Sequence, residues 1–262
     1  IEQLKMDKVA EYSVSDSVLA NQMTKLIKKD LSEYLTENEV VICDGMSCVG
    51  GNTMSFSRAF KKVITNEFNK ERYGMLEHNC RDVLKLKNID YYNEDILKLD
   101  ALDDCNVLFL DPEWGGKGSK SDRLKIGDKF LDKFIEEVFT HNKKMRMISL
   151  KLPYLYNLET LNSFKTEFGY KQNIYYLGEN DNVILVTILK EDLDKKEGAI
   201  KPSNIKNDTF LYWSDSVDKL GSKVCKHYQS MFRIIGKTEE EKENIMGQIF
   251  SEWGILHDTD WI

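Results

Sequence analysis

The stretch LFLDPEWGGKGS (108–119) ends an apolar run in an acid and a proline, then adds a second acid, a tryptophan and two glycines. Those residue types at that spacing suit one kind of chemistry. The Asp111 carboxylate and the backbone around Pro112 can accept N–H bonds from an exocyclic amine, while the proline stiffens the turn. Trp114 can stack a flat base, a contact worth roughly 1–3 kcal/mol. An amine nitrogen held in this way lies in line with an electrophilic carbon, and alignment alone can supply about 7–11 kcal/mol of the barrier. No strong base is required, because the proton can leave after the nitrogen has become cationic. Gly115 and Gly116 remove side chains beside the indole, which favours a stacking surface over a hydrophobic plug. Glu113 reads either as a solvated loop acid or as the acceptor of the adjacent N1–H and N2–H₂ donors of guanine.

Further acids stand at the ends of other apolar runs. Asp44 follows EVVIC (39–43), Glu67 ends KKVITNE (61–67), and Asp95 lies in YYNEDILKL (91–99), just before Ile96. After Asp44 the chain reads GMSCVGGNT (45–53). Gly45, Gly50 and Gly51 allow close backbone approach to a ligand, and Asn52 or Thr53 can open the next helix. The loop lacks the lysine and Ser/Thr pair of a phosphate-binding P-loop, and it lacks the three-glycine dinucleotide spacing. A glycine loop, an acid suited to ribose hydroxyls and a third acid suited to an adenine amino group together point to S-adenosylmethionine. Its expected contacts are Asp44, Gly45, Gly50, Asn52, Thr53, Glu67, Asp95, Ile96 and Asp111. The cysteines (Cys43, Cys48, Cys80, Cys105, Cys225) and the histidines (His78, His141, His227, His257) show no metal spacing, so no metal site is expected.

These acids need elements to carry them. SVLANQMTKLIKKDLSEYL (17–35) sets apolar residues at helical spacing. Short apolar runs then alternate with helical patterns. Strands are predicted at 39–43, 61–67, 89–95, 106–111 and 145–151, with helices at 52–60, 70–83, 130–142 and 157–169. YKQNIYYLG and NVILVTILK follow, joined by the turn ENDN. Five β-then-α units closed by a hairpin imply a doubly wound, mostly parallel α/β sheet of seven strands with one antiparallel strand inserted. In such sheets ligands bind at the carboxyl ends of the strands, near the switch in strand order. The expected organisation is an N-terminal helical segment (1–35), the α/β domain (36–190), and a linker with a C-terminal extension (191–262). The extension carries Trp213, Trp253 and Trp261, too many large apolar groups for disorder.

Bulk properties bound the partners. The 262 residues carry a net charge of −7, which argues against non-specific duplex DNA binding. No apolar run reaches the roughly 20 residues that span a bilayer, and no charged-then-apolar signal opens the chain. The chain starts at Ile1, so a leading segment is expected to have been removed. The odd number of cysteines reads as reduced intracellular thiols, in the nucleus or cytoplasm.

The ordered motifs resemble the trimethylguanosine synthases, over roughly residues 10–190. EYSVSDSVLANQM (11–23) is similar to that family's aromatic-Ser-Val entry, VICDGMSCVGGNTMSF (41–56) to its Val-Gly-Gly-Asn-Thr motif, and VITNEFNKERYGMLEHN (63–79) to its second strand and helix. NVLFLDPEWGG (106–116) is similar to its Ser-Pro-Pro-Trp-Gly-Gly motif. The resemblance implies a Rossmann-like class I methyltransferase that methylates the N2 amine of a 7-methylguanosine RNA cap. It implies Asp111, Pro112 and Trp114 at the reacting amine, with Trp114 stacked on the cationic base. It also implies Asn79 and Ser13 among the substrate contacts. The chain is expected to be a monomer with no membrane partner, and its C-terminal extension, which matches nothing in the family, is expected to be able to bind a protein partner. This chain departs from the pattern at Asp111, where the family has serine, at Glu113, where it has proline, and at Tyr154, where it has an arginine near the cap phosphates. Lys117, Lys120, Arg123 or Lys125 could take the phosphates instead. Because adenine-N6 methyltransferases use an aspartate at that step, methylation of adenine is the alternative reading. A non-catalytic cap-binding scaffold is a third.

Overall fold

The computed structural model describes residues 4–114, 123–177 and 183–190, all within the compact unit Ile1–Lys201. A short helix α1 (Ala10–Ser13) precedes α2 (Ser17–Leu31). Asp16 starts α2 by accepting from the backbone N–H groups of Val18 and Leu19, leaving fewer orphan donors at that end. The strands are β1 (Val41–Asp44), β2 (Lys62–Asn66), β3 (Ile89–Tyr92), β4 (Val107–Leu110), β5 (Lys125–Ile126), β6 (Lys129–Phe130), β7 (Met147–Pro153), β8 (Lys171–Leu177) and β9 (Val183–Leu189). The remaining helices are α3 (Gly51–Ala59), α4 (Lys70–Glu77), α5 (Leu131–His141) and α6 (Asn162–Thr166).

Seven strands form one sheet in the order β3-β2-β1-β4-β7-β9-β8. The pairs from β3 across to β7 are parallel, while β9 runs antiparallel to both β7 and β8. The expected fold is therefore observed, with β9 as the inserted antiparallel strand. Every residue of β4 and of β9 is buried, as strands covered on both faces require. On one face Cys43, Leu108, Leu110, Ile148 and Leu150 pack with Phe134, Ile135, Val138 and Phe139 of α5. On the other, Ile42, Val63, Val107 and Phe109 pack with Met23 and Ile27 of α2, Phe56 of α3 and Leu76 of α4. Asp30 ties α2 to the far edge by accepting from Tyr175 Oη and Thr187 Oγ1, each at 2.6 Å.

The structure departs from the predicted pattern at three connections. The β3–β4 crossover is two 3₁₀ turns, Ile96–Lys98 and Asp100–Asp104, rather than a helix. Its aspartates compete with helical bonding for backbone N–H groups, as Asp95 does by accepting from Leu97 N. A β5–β6 hairpin, turned by Gly127 at φ 56°, fills the stretch before α5. The helix expected over 157–169 is one 3₁₀ turn and the five-residue α6. Cys43, Cys80 and Cys105 are buried free thiols and Cys48 is a half-buried one. Among the described residues no helix is long and apolar enough to cross a membrane. The extension 191–262, with its three tryptophans and Cys225, lies outside the described residues, as do Gly115, Gly116, Lys117 and Lys120.

Candidate active site

The strand order reverses between β1 and β4, where Asp44 stands level with Phe109 and Gly45 N donates to Phe109 O at 3.0 Å. The two acidic strand ends, Asp44 and Asp111, thus meet at the switch point. Asp44 is fully buried. Its Oδ2 accepts from Thr53 Oγ1 at 2.5 Å, and Thr53 Oγ1 lies 2.9 Å from Thr65 Oγ1. Ser47 closes the ring, bonding to Thr65 and donating to Asp44 O. Burial pushes the Asp44 carboxyl from 3.8 up to about 7; the Thr53 bond opposes the shift, and the Asp111 and Glu67 charges add to it.

The glycine loop is held from three sides. Gly50 caps α3 in the left-handed region, at φ 102°. Gly51 is fixed by the N-terminal segment: a Cβ there would lie 2.5 Å from Ser15 O and 2.7 Å from Val14 Cγ2. From β2, Glu67 accepts Cys48 N at 2.9 Å and Asn69 N at 2.8 Å, one bond to each carboxylate oxygen. Each of those oxygens keeps a lone pair for a ribose hydroxyl. Asn66 stitches the loop to the end of β3, donating to Gly45 O and Glu94 O and accepting from Glu94 N. That brings the Asp95–Ile96 turn alongside, and Ile96 Cδ1 would lie 3.1 Å from a Cβ on Gly45.

Three oxygens in this region, Asp44 Oδ1, Asn52 Oδ1 and Ser15 Oγ, are buried with no partner among the described residues. Buried polar atoms normally have partners, so unpaired acceptors beside a tight backbone loop mark a ligand position. The two amide and carboxylate oxygens suit an ammonium group. The Glu67 carboxylate suits a diol. The donor set fits S-adenosylmethionine.

At the end of β4, Pro112 is buried, Glu113 is exposed and Trp114 is half-buried against the α5 face of the core. Trp114 Nε1 is buried without a partner among the described residues. Lys151 Nζ sits 5.5 Å from the indole centroid and donates to Asp111 Oδ2 at 2.7 Å. Burial raises the Asp111 carboxyl above the ordinary range, and the Lys151 ammonium opposes that rise.

The structure thus brings Asp44, Gly45, Asn52, Thr53, Glu67, Ile96, Asp111 and Trp114 to one end of the sheet. Other predicted residues sit differently. Asn79, in a π-helical turn after α4, accepts from Lys5 N and donates to Lys5 O and Val49 O. Both of its amide protons are taken, so here it clamps the N-terminal segment to the glycine loop. Ser13 donates to Val9 O and lies 3.7 Å from Cys48 Sγ. Arg123 is paired in bidentate fashion with Asp132, and Lys125 lies over Phe130. Lys151, Thr65 and Asn66 were not among the expected site residues. A surface cavity of about 410 Å³ between α2 and the start of β1 is lined by Glu37 but by none of the acids of this site.

A family described as RNA cap guanine-N2 methyltransferase matches residues 39–193, more than half of the chain. The uncharacterized protein L320 of Acanthamoeba polyphaga mimivirus is 30% identical over 143 residues, 49% of this chain and 56% of that protein, so this chain spans about half the length of that relative. A precorrin-6y C5,15-methyltransferase from Geobacter metallireducens superimposes with a TM-score of 0.51 at 14% identity, over 72% of this chain and 95% of that one. A methyltransferase from Geobacter sulfurreducens gives a TM-score of 0.49 at 12% identity, over 70% and 84%. The first of these likenesses supports the class I methyltransferase fold.

Proposed function

We infer from this site, in a chain that belongs to the RNA cap guanine-N2 methyltransferase family, that the protein transfers the methyl group of S-adenosylmethionine to the N2 amine of a 7-methylguanosine RNA cap. The observation that carries this reading is that the Asp111 carboxylate and the Trp114 indole, three residues apart at the end of β4, both meet the Lys151 ammonium, at 2.7 Å and 5.5 Å, beside the β1 strand end that opens the glycine loop.

Asp44 and Asn52 take the cofactor's ammonium, Glu67 its ribose hydroxyls, and Asp95 with Ile96 its adenine. Held there, S-adenosylmethionine would supply an electrophilic methyl group to the amine nitrogen and leave as the neutral thioether. Trp114 stacks the base, and the positive charge of 7-methylguanine adds cation–π attraction of about 0.5–2 kcal/mol, which selects caps already methylated at N7. Asp111 accepts an N–H of the amine and later the proton that nitrogen sheds. Glu113, exposed at the same turn, is free to accept from the guanine edge. Lys117 serves the cap phosphates.

The test is incubation with labelled S-adenosylmethionine and cap analogues with and without the 7-methyl group, followed by product mass. Transfer to the N7-methylated analogue alone is expected. The aspartate at position 111 favours one second reading, methylation of adenine N6, which transfer to adenosine in uncapped RNA would establish. Cap binding with no transfer to either base would instead identify a scaffold.

A further inference from the structure

Among the described residues, Lys151 forms a buried ion pair at the site that lies outside the matched motifs. It stands on β7 one step beyond Leu150, which is in register with Leu110, so it faces Asp111 across the parallel pair. Its side chain is only 7% exposed and that of Asp111 only 16%, while the two are 2.7 Å apart. Replacing such a buried pair with apolar side chains of similar volume is commonly neutral or stabilising, so stability alone gives no reason for it. The neighbouring positions Leu150 and Leu152 are fully buried leucines, and a third apolar residue would continue them.

We propose that Lys151 is a positioning residue for methyl transfer: its ammonium holds Asp111 as an ionised acceptor bound through Oδ2, leaving Oδ1 for the incoming amine, and braces the Trp114 indole from 5.5 Å. This rests on the acceptor-amine reading above. As the N–C bond forms, the nitrogen gains positive charge, which an ionised Asp111 stabilises and a protonated one does not. The surplus proton then moves from nitrogen to Oδ1 and on to water. Because the pair is neutral overall, it does not repel a cationic base stacked on the same indole. Lys151 from β7 faces Asp111 and favours its ionisation, against the burial that disfavours it, while the Asp111 charge in turn disfavours ionisation of Asp44. Removing the ammonium leaves burial unopposed, so the carboxyl protonates at higher pH.

The experiment compares the wild type with K151M and K151R. It reads kcat/KM against pH on an N7-methylated cap analogue, and the ionisation of the Asp111 carboxyl by carbon-13 NMR, with D111N assigning the resonance. In K151M the acid limb and the carboxyl titration should both move up by about 1–3 pH units, the shift an opposite charge at this range produces. Rate should fall across the pH range of the wild-type acid limb and recover at higher pH. K151R should keep the wild-type profile, and cofactor binding should stay unchanged in both. A folded K151M whose limb and titration match wild type overturns the proposal. Should K151M fail to fold, K151Q reads the same two quantities. If wild-type protein methylates no cap analogue, the cap reading falls, while the carboxyl titration still decides whether Lys151 governs Asp111.

Discussion

Asp44 is a carboxyl held against its own ionisation: it is fully buried, one oxygen bonds Thr53 and the other bonds nothing among the described residues. Its pKa of about 7 against 3.8 has a signed consequence. Between those values the folded state binds a proton that the unfolded chain has lost, so the Asp44 contribution makes stability fall as pH rises and level off above 7. A shift of that size corresponds to about 4 kcal/mol at most. Urea unfolding of D44N and wild type should therefore diverge from pH 4 to 8, with the variant increasingly the more stable; a constant gap would mean that Asp44 ionises normally. Trp114 separates the two ligands of the proposed reaction. W114A should weaken binding of an N7-methylated cap analogue roughly ten- to a hundredfold, the scale of one lost stacking contact, and leave the S-adenosylmethionine Kd unchanged. Equal losses for both ligands would make the indole a structural plug.

At the scale of elements, the glycine loop is shaped by the N-terminal segment as much as by the sheet. Asn79 holds Lys5 and Val49 together, and Ser15 O occupies the space a side chain on Gly51 would need. G51A should push residues 14–15 off the loop, cost about 1–3 kcal/mol by overpacking, and weaken cofactor binding. Unaltered melting and binding would mean that this segment is not seated on the loop. Much of this architecture is legible in the sequence. The strand ends announce themselves because VICD, VITNE and VLFLD each stop an apolar run with an acid, and the helices between them carry the 3.6-residue period. Asn79 and Lys151 are not legible in the same way. A lysine near a strand end reads as solvated, and only the β4–β7 register shows it meeting Asp111. Asn79 lies 74 residues from the backbone it clamps, a distance that local patterns do not bridge. The β3–β4 crossover departs from the β-then-α pattern for a local reason: Asp95 accepts from Leu97 N and caps a short 3₁₀ turn instead of a helix.

For the whole molecule, the net charge of −7 and the reading of a cationic base beside a polyanionic RNA together make an electrostatic prediction. A protein of that charge has no general attraction for the RNA body. Recognition should therefore concentrate at the cap, where Trp114 and the neutral Asp111–Lys151 pair meet the one positively charged base. Single-stranded binding loses affinity with salt at a logarithmic slope of about −0.7 per phosphate contacted. If only about two cap phosphates are engaged, affinity for a capped oligonucleotide should fall roughly sevenfold between 50 and 200 mM salt, and lengthening the RNA should add little. A protein that tracks six or more phosphates would lose more than about a hundredfold over the same range and bind longer RNA more tightly. Titration of capped RNAs of two lengths at the two salt concentrations distinguishes these cases, and the steep, length-dependent outcome would show that a basic surface beyond the cap site dominates binding.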